Sequence, residues 1–368
     1  GFYSGRDFDA FLPFENGGVV DLNRTYGGQG GSLTYDTDDW NFQLGYDWAS
    51  QNDHRQRYQN VQGVIGEQTL NQNEIFKGLG GYLIGQWQKD NFTLNGGLRY
   101  DNNLLSVEDQ FLSNGDGSDE MSLRAFSPQI GFSYRLNTFS LFGGYSSGYE
   151  TPTLSELSTT VDGEGGFNQD LNIQQARQTE LGLRYQGQKL QGSIVGYRIT
   201  TVNDILPYES ASFPSQTLYK HIGETRRAGI EWEASYQPIP SINIRANYNR
   251  AANTIENGNY EGMQIPGIAK DFGQLSVSHE ITEEFTLSLK RFYRGELFAN
   301  NDNKVSIPKI SVAHLELTWN TKGVSLSGGI QNLFNKTYSD NIRINAFGGR
   351  YYEAALPRQV YTSLSIRW

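Results

Sequence analysis

The stretch TKGVSLSGGIQNLFNKTYSDNIRINAFGGRYYEAALPRQVYTSLSIRW, residues 321–368, decides the fold. From Val360 to Trp368 its side chains alternate without a break. Val360, Thr362, Leu364, Ile366 and Trp368 share one face, and Tyr361, Ser363, Ser365 and Arg367 share the other. That is the period of a β-strand. The run from Val324 repeats it, with Val324, Leu326 and Ile330 opposed to Ser325, Ser327 and Gln331. Between the two strands lies a long polar, aromatic and Gly-rich loop. An apolar strand carried to a terminal aromatic residue suits a barrel in a bilayer, whose last strand pairs with the first and leaves no open edge. The hairpin therefore reads as the closing strands of a transmembrane antiparallel β-barrel, an all-β fold.

Composition agrees. Hydrophobic residues are 37% of the chain, thin for a large dry core, while aromatics are 13% and Gly numbers 42. In a membrane barrel only alternate strand residues meet lipid and the rest face a polar interior. Mean hydropathy is −0.57, and no apolar run is long enough for a transmembrane helix. A net charge of −10 argues against a nucleic-acid partner. With no Cys there is neither a disulfide framework nor a thiolate metal site. The chain opens Gly-Phe-Tyr, without Met or signal peptide, so the expectation is a mature or truncated outer-membrane chain.

Reading outward from the C-terminal hairpin gives about sixteen strands whose connections alternate short and long. Short polar turns fall at Asp36–Asp39, Gln88–Asn91, Leu136–Thr138, Gln186–Lys189, Gln237–Ser241, Thr282–Glu284 and Asn320–Gly323. Long loops are expected at about 12–24, 53–73, 105–122, 149–176, 206–216, 255–268, 299–306 and 336–356. The short turns belong on the periplasmic side and the long loops outside the cell. Phe92, Leu94, Leu98 and Tyr100 oppose Thr93, Asn95, Arg99 and Asp101, and Ile230, Trp232, Ala234 and Tyr236 oppose Glu231, Glu233 and Ser235. An Arg or Lys at the lipid midplane costs about 2–4 kcal/mol, so the charged rows should line the lumen. Trp40, Trp87, Trp232, Trp319 and Trp368 fall near the periplasmic interface and Trp48 towards the other end, as an aromatic girdle would place them. A soluble sandwich is the weaker alternative, because sixteen long strands would lack a second apolar face to pack against.

Several segments resemble the barrel of TonB-dependent outer-membrane receptors, the ferric-siderophore branch in particular. They are GLRYD (97–101), GYETPTLSEL (148–157), GGFNQDLNIQQARQTELGLRY (165–185), GETRRAGIEWEASYQP (223–238), IPGI (265–268) and NLFNKTY (332–338), in the family's order. One departure is Ile173-Gln174, where many relatives carry Pro-Glu. The resemblance implies a barrel of about 22 strands around an N-terminal plug, with a periplasmic TonB-contact segment. On that reading residues 1–368 are one β-barrel domain, and the plug and the first strands are absent from the chain. A closed sixteen-stranded passive porin is the competing reading. A barrel enzyme ranks lower still.

No catalytic constellation is present. Ser278, His279 and Glu280 are strand neighbours that point to opposite faces and cannot form a triad. His54, His221, His279 and His314 are isolated, so no metal site and no resident cofactor are expected. Asp116, Asp119 and Glu120 lack the twelve-residue Ca²⁺-loop pattern and read as a solvated loop. Gly27–Gly31 has no following helix or Lys with which to hold phosphate. Pro152 and Glu156 in TPTLSEL read as structural.

What remains is binding. A bulky, anionic ferric siderophore needs Arg for charge and Tyr for apolar area at low entropy cost. The expected extracellular loops offer Arg55, Arg57 and Tyr58; Tyr208, Tyr219 and Tyr260; and Arg343, Arg350, Tyr351 and Tyr352. Expected partners are a ferric siderophore or similar chelate, the TonB complex through the missing N-terminal region, the bilayer and lipopolysaccharide. Haem, vitamin B12 or an oligosaccharide are alternative substrates of such a receptor.

Overall fold

The computed structural model describes residues 1–13, 15, 17–157, 166–210, 213–349 and 351–367. Its strands are β1 (Phe2–Phe11), β2 (Val19–Asp36), β3 (Trp40–Val61), β4 (Val64–Lys89), β5 (Phe92–Asp109), β6 (Asp119–Leu136) and β7 (Phe139–Glu150). After a short helix α1 (Leu154–Leu157) come β8 (Gln174–Gln186), β9 (Leu190–Ser210), β10 (Phe213–Tyr236), β11 (Ile242–Ile255), β12 (Asp271–Glu280) and β13 (Phe285–Arg294). The chain continues through β14 (Leu297–Phe298), β15 (Ser306–Ile307), β16 (Ile310–Thr321), β17 (Val324–Gln331), β18 (Ser339–Ile342), β19 (Tyr352–Ala354) and β20 (Gln359–Ile366). One antiparallel sheet of 16 strands runs β1 to β13, then β16, β17 and β20, while β14–β15 and β18–β19 are small loop hairpins.

The register sorts side chains onto two faces. Leu33, Leu44, Leu83, Leu98 and Pro128 form one cross-strand row over β2 to β6, all on the apolar face. On β3 that outward face reads Trp40, Phe42, Leu44, Tyr46, Trp48, then turns polar at Ser50, Asn52 and His54. Eight steps of about 3.3 Å from Trp40 to Trp48 span roughly 26 Å, and nine residues are close to what a tilted strand needs to cross a bilayer. The lower edge of this band is aromatic: the Trp40 ring lies 5.3 Å from Phe42 and 6.0 Å from Trp87, and Trp87 lies 5.9 Å from Phe92. Trp368 lies outside the described residues.

Glycine has a defined use on the inner face. The rings of Tyr82, Phe142 and Tyr361 lie directly over Gly45, Gly182 and Gly329 of the neighbouring strands, where any Cβ would collide with the ring. Glycine there admits the ring, and the ring covers its bare backbone. Short turns use left-handed backbone instead: Asp90 and Asn137 have φ of 51° and 53°.

All seven short turns lie where expected. The loops differ more. The segment 53–73 is strand, with β3 and β4 meeting at the two-residue turn Gln62-Gly63, and β9 and β10 likewise run through most of 206–216. The first loop is shorter than expected, because β2 begins at Val19. Above the lipid both faces of a strand meet water, so its apolar alternation stops while its ladder of hydrogen bonds continues. The expected pairing of the last strand with the first is also absent: among the described residues β20 pairs only with β17 and β1 only with β2, so both are free edges.

Candidate functional site

Strands of 22 and 26 residues, β3 and β4, are far longer than a crossing requires, and their upper halves form a wall above the membrane. Its inner face is charged, and several of its carboxylates are paired. Arg24 donates to Asp53 at 2.8 and 2.5 Å, and Gln51 adds a third bond to the same carboxylate. Arg55 grips Glu74 at 2.8 and 3.0 Å, joined by Gln72 at 2.8 Å. Lower down, at the level of the lipid band, Arg99 bridges Asp47 at 2.7 Å and Asp101 at 2.6 Å. Arg55 is therefore a structural partner of a fully buried carboxylate. Arg57, one step up the same inner row, has its Nε buried without an acceptor among the described residues. Burial, with the Arg55 charge beside it, pulls its pKa below the ordinary guanidinium value. Tyr58 lies on the opposite face of β3, within 3.5 Å of Gln68.

The loops rest on three small apolar clusters. In the first, Leu154 and Leu157 of α1 pack with Leu105, Leu123, Leu171 and Ile205, and Tyr219 lies against them. A reciprocal cap holds this helix: the Thr153 N–H donates to Glu156 Oε2 at 2.8 Å, and the Glu156 N–H to Thr153 Oγ1 at 3.2 Å. His221 ties the loop to β9, accepting from the Asn172 N–H through Nε2 and donating through Nδ1 to the Asn203 carbonyl, both at 2.9 Å. Tyr260 packs on the second cluster, Ile222, Ile255 and Ile265, and Tyr351 on the third, Leu297, Ala299 and Ile307. Burial raises the phenol pKa of Tyr219, helped by Glu156. The acidic loop is likewise held, since Asp116 accepts the Ser118 N–H and Asp119 the Gln169 amide of a neighbouring loop.

Asn345 joins three loops. Its amide donates to the Pro207 carbonyl at 3.0 Å, its Oδ1 accepts the Asn301 N–H at 3.0 Å, and its backbone N–H reaches Ala299 at 2.9 Å. Around this roof, two cationic places stay open. Lys220 Nζ stands 4.7 Å over the Tyr208 ring, and burial raises the phenol pKa of Tyr208. Arg343 is half exposed with Glu209 at 3.9 Å, close to the exposed Tyr352 on the same β18–β19 hairpin. Arg350 lies outside the described residues. Of the sequence candidates, Arg343 and Tyr352 keep exposed side chains and Tyr208 lies under Lys220, whereas Arg55, Tyr219, Tyr260 and Tyr351 are built into the supporting structure.

Under the loop Gly267–Ala269 the lumen holds a cavity of about 720 Å³ with Tyr197, Glu231, Asn249, Phe272 and Arg294 on its walls. Arg294 Nε and Nη2 are buried with no hydrogen-bond partner among the described residues. Sequence reading missed Lys220 and Arg294. Their strands looked like ordinary alternation; the register Glu231–Asn249–Phe272–Arg294 sets Arg294 in that row, and the β9–β10 register sets Lys220 near Tyr208. No group of three His, Cys, Asp or Glu able to hold a metal occurs among the described residues.

The fold defines the class: an antiparallel β-sheet of the outer-membrane barrel kind. The chain belongs to the TonB dependent receptor-like, beta-barrel family, whose model matches residues 1–333. Its members are transport proteins rather than enzymes, and this chain is an outer-membrane protein that crosses with strands. An uncharacterized TonB-dependent receptor of Haemophilus influenzae is 24% identical over 282 residues, covering 70% of this chain and 76% of that protein. Among solved structures, the unliganded ferric citrate transporter FecA superposes with a TM-score of 0.78 at 19% identity, over 99% of this chain and 57% of that one. The copper transporter OprC superposes at 0.79 and 20%, over 99% and 61%. The chain thus spans about 60% of the length of these solved relatives.

Proposed function

We propose that these 368 residues are the greater part of the barrel of a TonB-dependent receptor for a ferric chelate of the siderophore kind. In this reading an N-terminal plug and further strands complete the protein, and TonB acts through that plug. The observation that carries it is the pair of free edges, β1 and β20, on a sheet that matches just over half of each larger transporter. A closed sixteen-stranded porin would pair those edges.

A chelate is favoured over a bare soft-metal ion by ligand supply. The chain has no Cys, two Met and four separated His, a poor set for copper, whereas a carboxylate-bearing chelate finds exposed Arg and Tyr. The substrate would meet Lys220, Tyr208, Arg343 and Tyr352 at the mouth and Arg294 below, whose Nε and Nη2 are buried without a hydrogen-bond partner among the described residues. The test is uptake of radiolabelled ferric chelates by cells carrying the full-length gene, with and without TonB. TonB-dependent iron entry, lost without the receptor, supports the reading. Copper entry alone, or uptake indifferent to TonB, overturns it.

A further inference from the structure

The NLFNKTY segment has no part in the mouth, yet it is rigidly built. Asn332 is buried and left-handed, with φ 49°. Its amide donates to the Lys336 carbonyl at 2.8 Å, and its Oδ1 accepts the Lys336 N–H at 2.8 Å. Asn335, at φ 50°, accepts the Arg358 N–H at 2.9 Å. Two left-handed asparagines therefore fix a tight turn whose Phe334 and Lys336 side chains are held outwards, with Phe334 66% exposed. An apolar ring held in the open by so many polar bonds calls for a surface to cover it.

That surface lies beside it. Phe334 and Lys336 overhang a groove of about 510 Å³ on the outer wall, floored by Leu275, Val277 and Leu289 and narrowed only by the small Ala313 and Ser311. The floor belongs to the apolar face, because Leu289 pairs with Val277 and Leu315, and the row Phe285–Trp319 marks its periplasmic edge. Arg291 stands on the same face of β13 as Phe285, six residues higher, roughly 20 Å along the strand. It is exposed, and Ser311 Oγ accepts its Nε–H at 3.0 Å, which leaves the terminal nitrogens free. Neither Arg291 nor Lys336 is in an ion pair among the described residues. Two cations at the upper edge of an apolar groove, Arg291 held by Ser311 and Lys336 on a rigid turn, on a chain of net charge −10, match an amphiphile with acyl chains below and phosphate above.

We propose that this groove binds lipid A, the phosphorylated acyl anchor of lipopolysaccharide, with acyl chain along Leu275, Val277 and Leu289 and phosphate between Arg291 and Lys336. Lipid A is the occupant because the groove opens at the loop side of the band, into the leaflet that lipopolysaccharide occupies. This site faces away from the lumen and is independent of which solute the receptor carries.

The test is native mass spectrometry of the full-length protein purified from outer membranes, wild type against R291Q/K336Q, F334A and K290Q. Lys290 points to the opposite face of the same strand and controls for lost charge. Expected is co-purified lipid A on wild type and K290Q, reduced about tenfold in R291Q/K336Q and also reduced in F334A. Added lipid A should raise the Tm of wild type but not of the double variant, while inorganic phosphate raises neither. Equal lipid A on all four proteins overturns the proposal. So does equal displacement by phosphatidylglycerol, which would make the groove a general anionic-lipid contact.

Discussion

At the scale of single residues, the inner wall shows how one residue type divides into support and function. Arg55 and Arg343 both look like ligand groups in the sequence, but Arg55 closes a bidentate pair on Glu74, which is 0% exposed. Breaking such a pair by removing one partner leaves a buried charge, at about 3–5 kcal/mol. R55A is accordingly expected to lower thermal stability in detergent clearly, and R55M/E74M to recover most of the loss. An unchanged R55A melting curve would count against the buried pair. Arg343 is half exposed and its partner is 3.9 Å away, so R343A should cost under about 1 kcal/mol while weakening chelate binding. Equilibrium binding and melting on one preparation separate the two effects. At the cap of α1, T153A should destabilise the first loop cluster by about 1 kcal/mol, seen as faster amide exchange at Leu154–Leu157.

At the scale of elements, the loops are braced rather than loose. Asn345 connects the end of β9, the β14–β15 hairpin and the β18–β19 hairpin through side-chain and backbone bonds. N345A removes the side-chain bonds and strains a residue at φ 53°, so amide protection should fall together at 205–209, 297–307 and 339–354. Loss confined to one of the three would show that they open separately. The upper halves of β3 and β4 teach a related lesson. Residues 53–73 are polar on both faces and read as a loop, because periodicity reports contrast between two solvents. Above the bilayer that contrast vanishes while the backbone pairing persists.

At the scale of the molecule, the two free edges are the most consequential feature. An unpaired edge buried in lipid leaves backbone donors and acceptors without partners, each costing several kcal/mol. The native protein is therefore expected to add strands between β20 and β1. These 368 residues hold no Cys, so cysteine pairs can be placed along the inward rows, Ser4 or Arg6 with Ser363 or Ser365. No disulfide should form across these rows in the full-length protein, and its intact mass should well exceed 41.4 kDa. Efficient cross-linking would mean that the sixteen strands close on themselves.

The sequence by itself determined the all-β barrel, the seven short turns and the lipid-facing rows. Each follows from one local rule, alternation against a nonpolar solvent interrupted by turn residues, and GVSLSGGI and QVYTSLSI display it directly. The family was legible too, in ordered short segments. Which arginines are spent on buried carboxylates, which tyrosines prop the loops, and the setting of Arg294 and Arg291 were decided only by tertiary structure. Those roles depend on cross-strand register and loop packing between residues far apart in the chain, such as Asn345 and Pro207, and no local pattern encodes such a meeting.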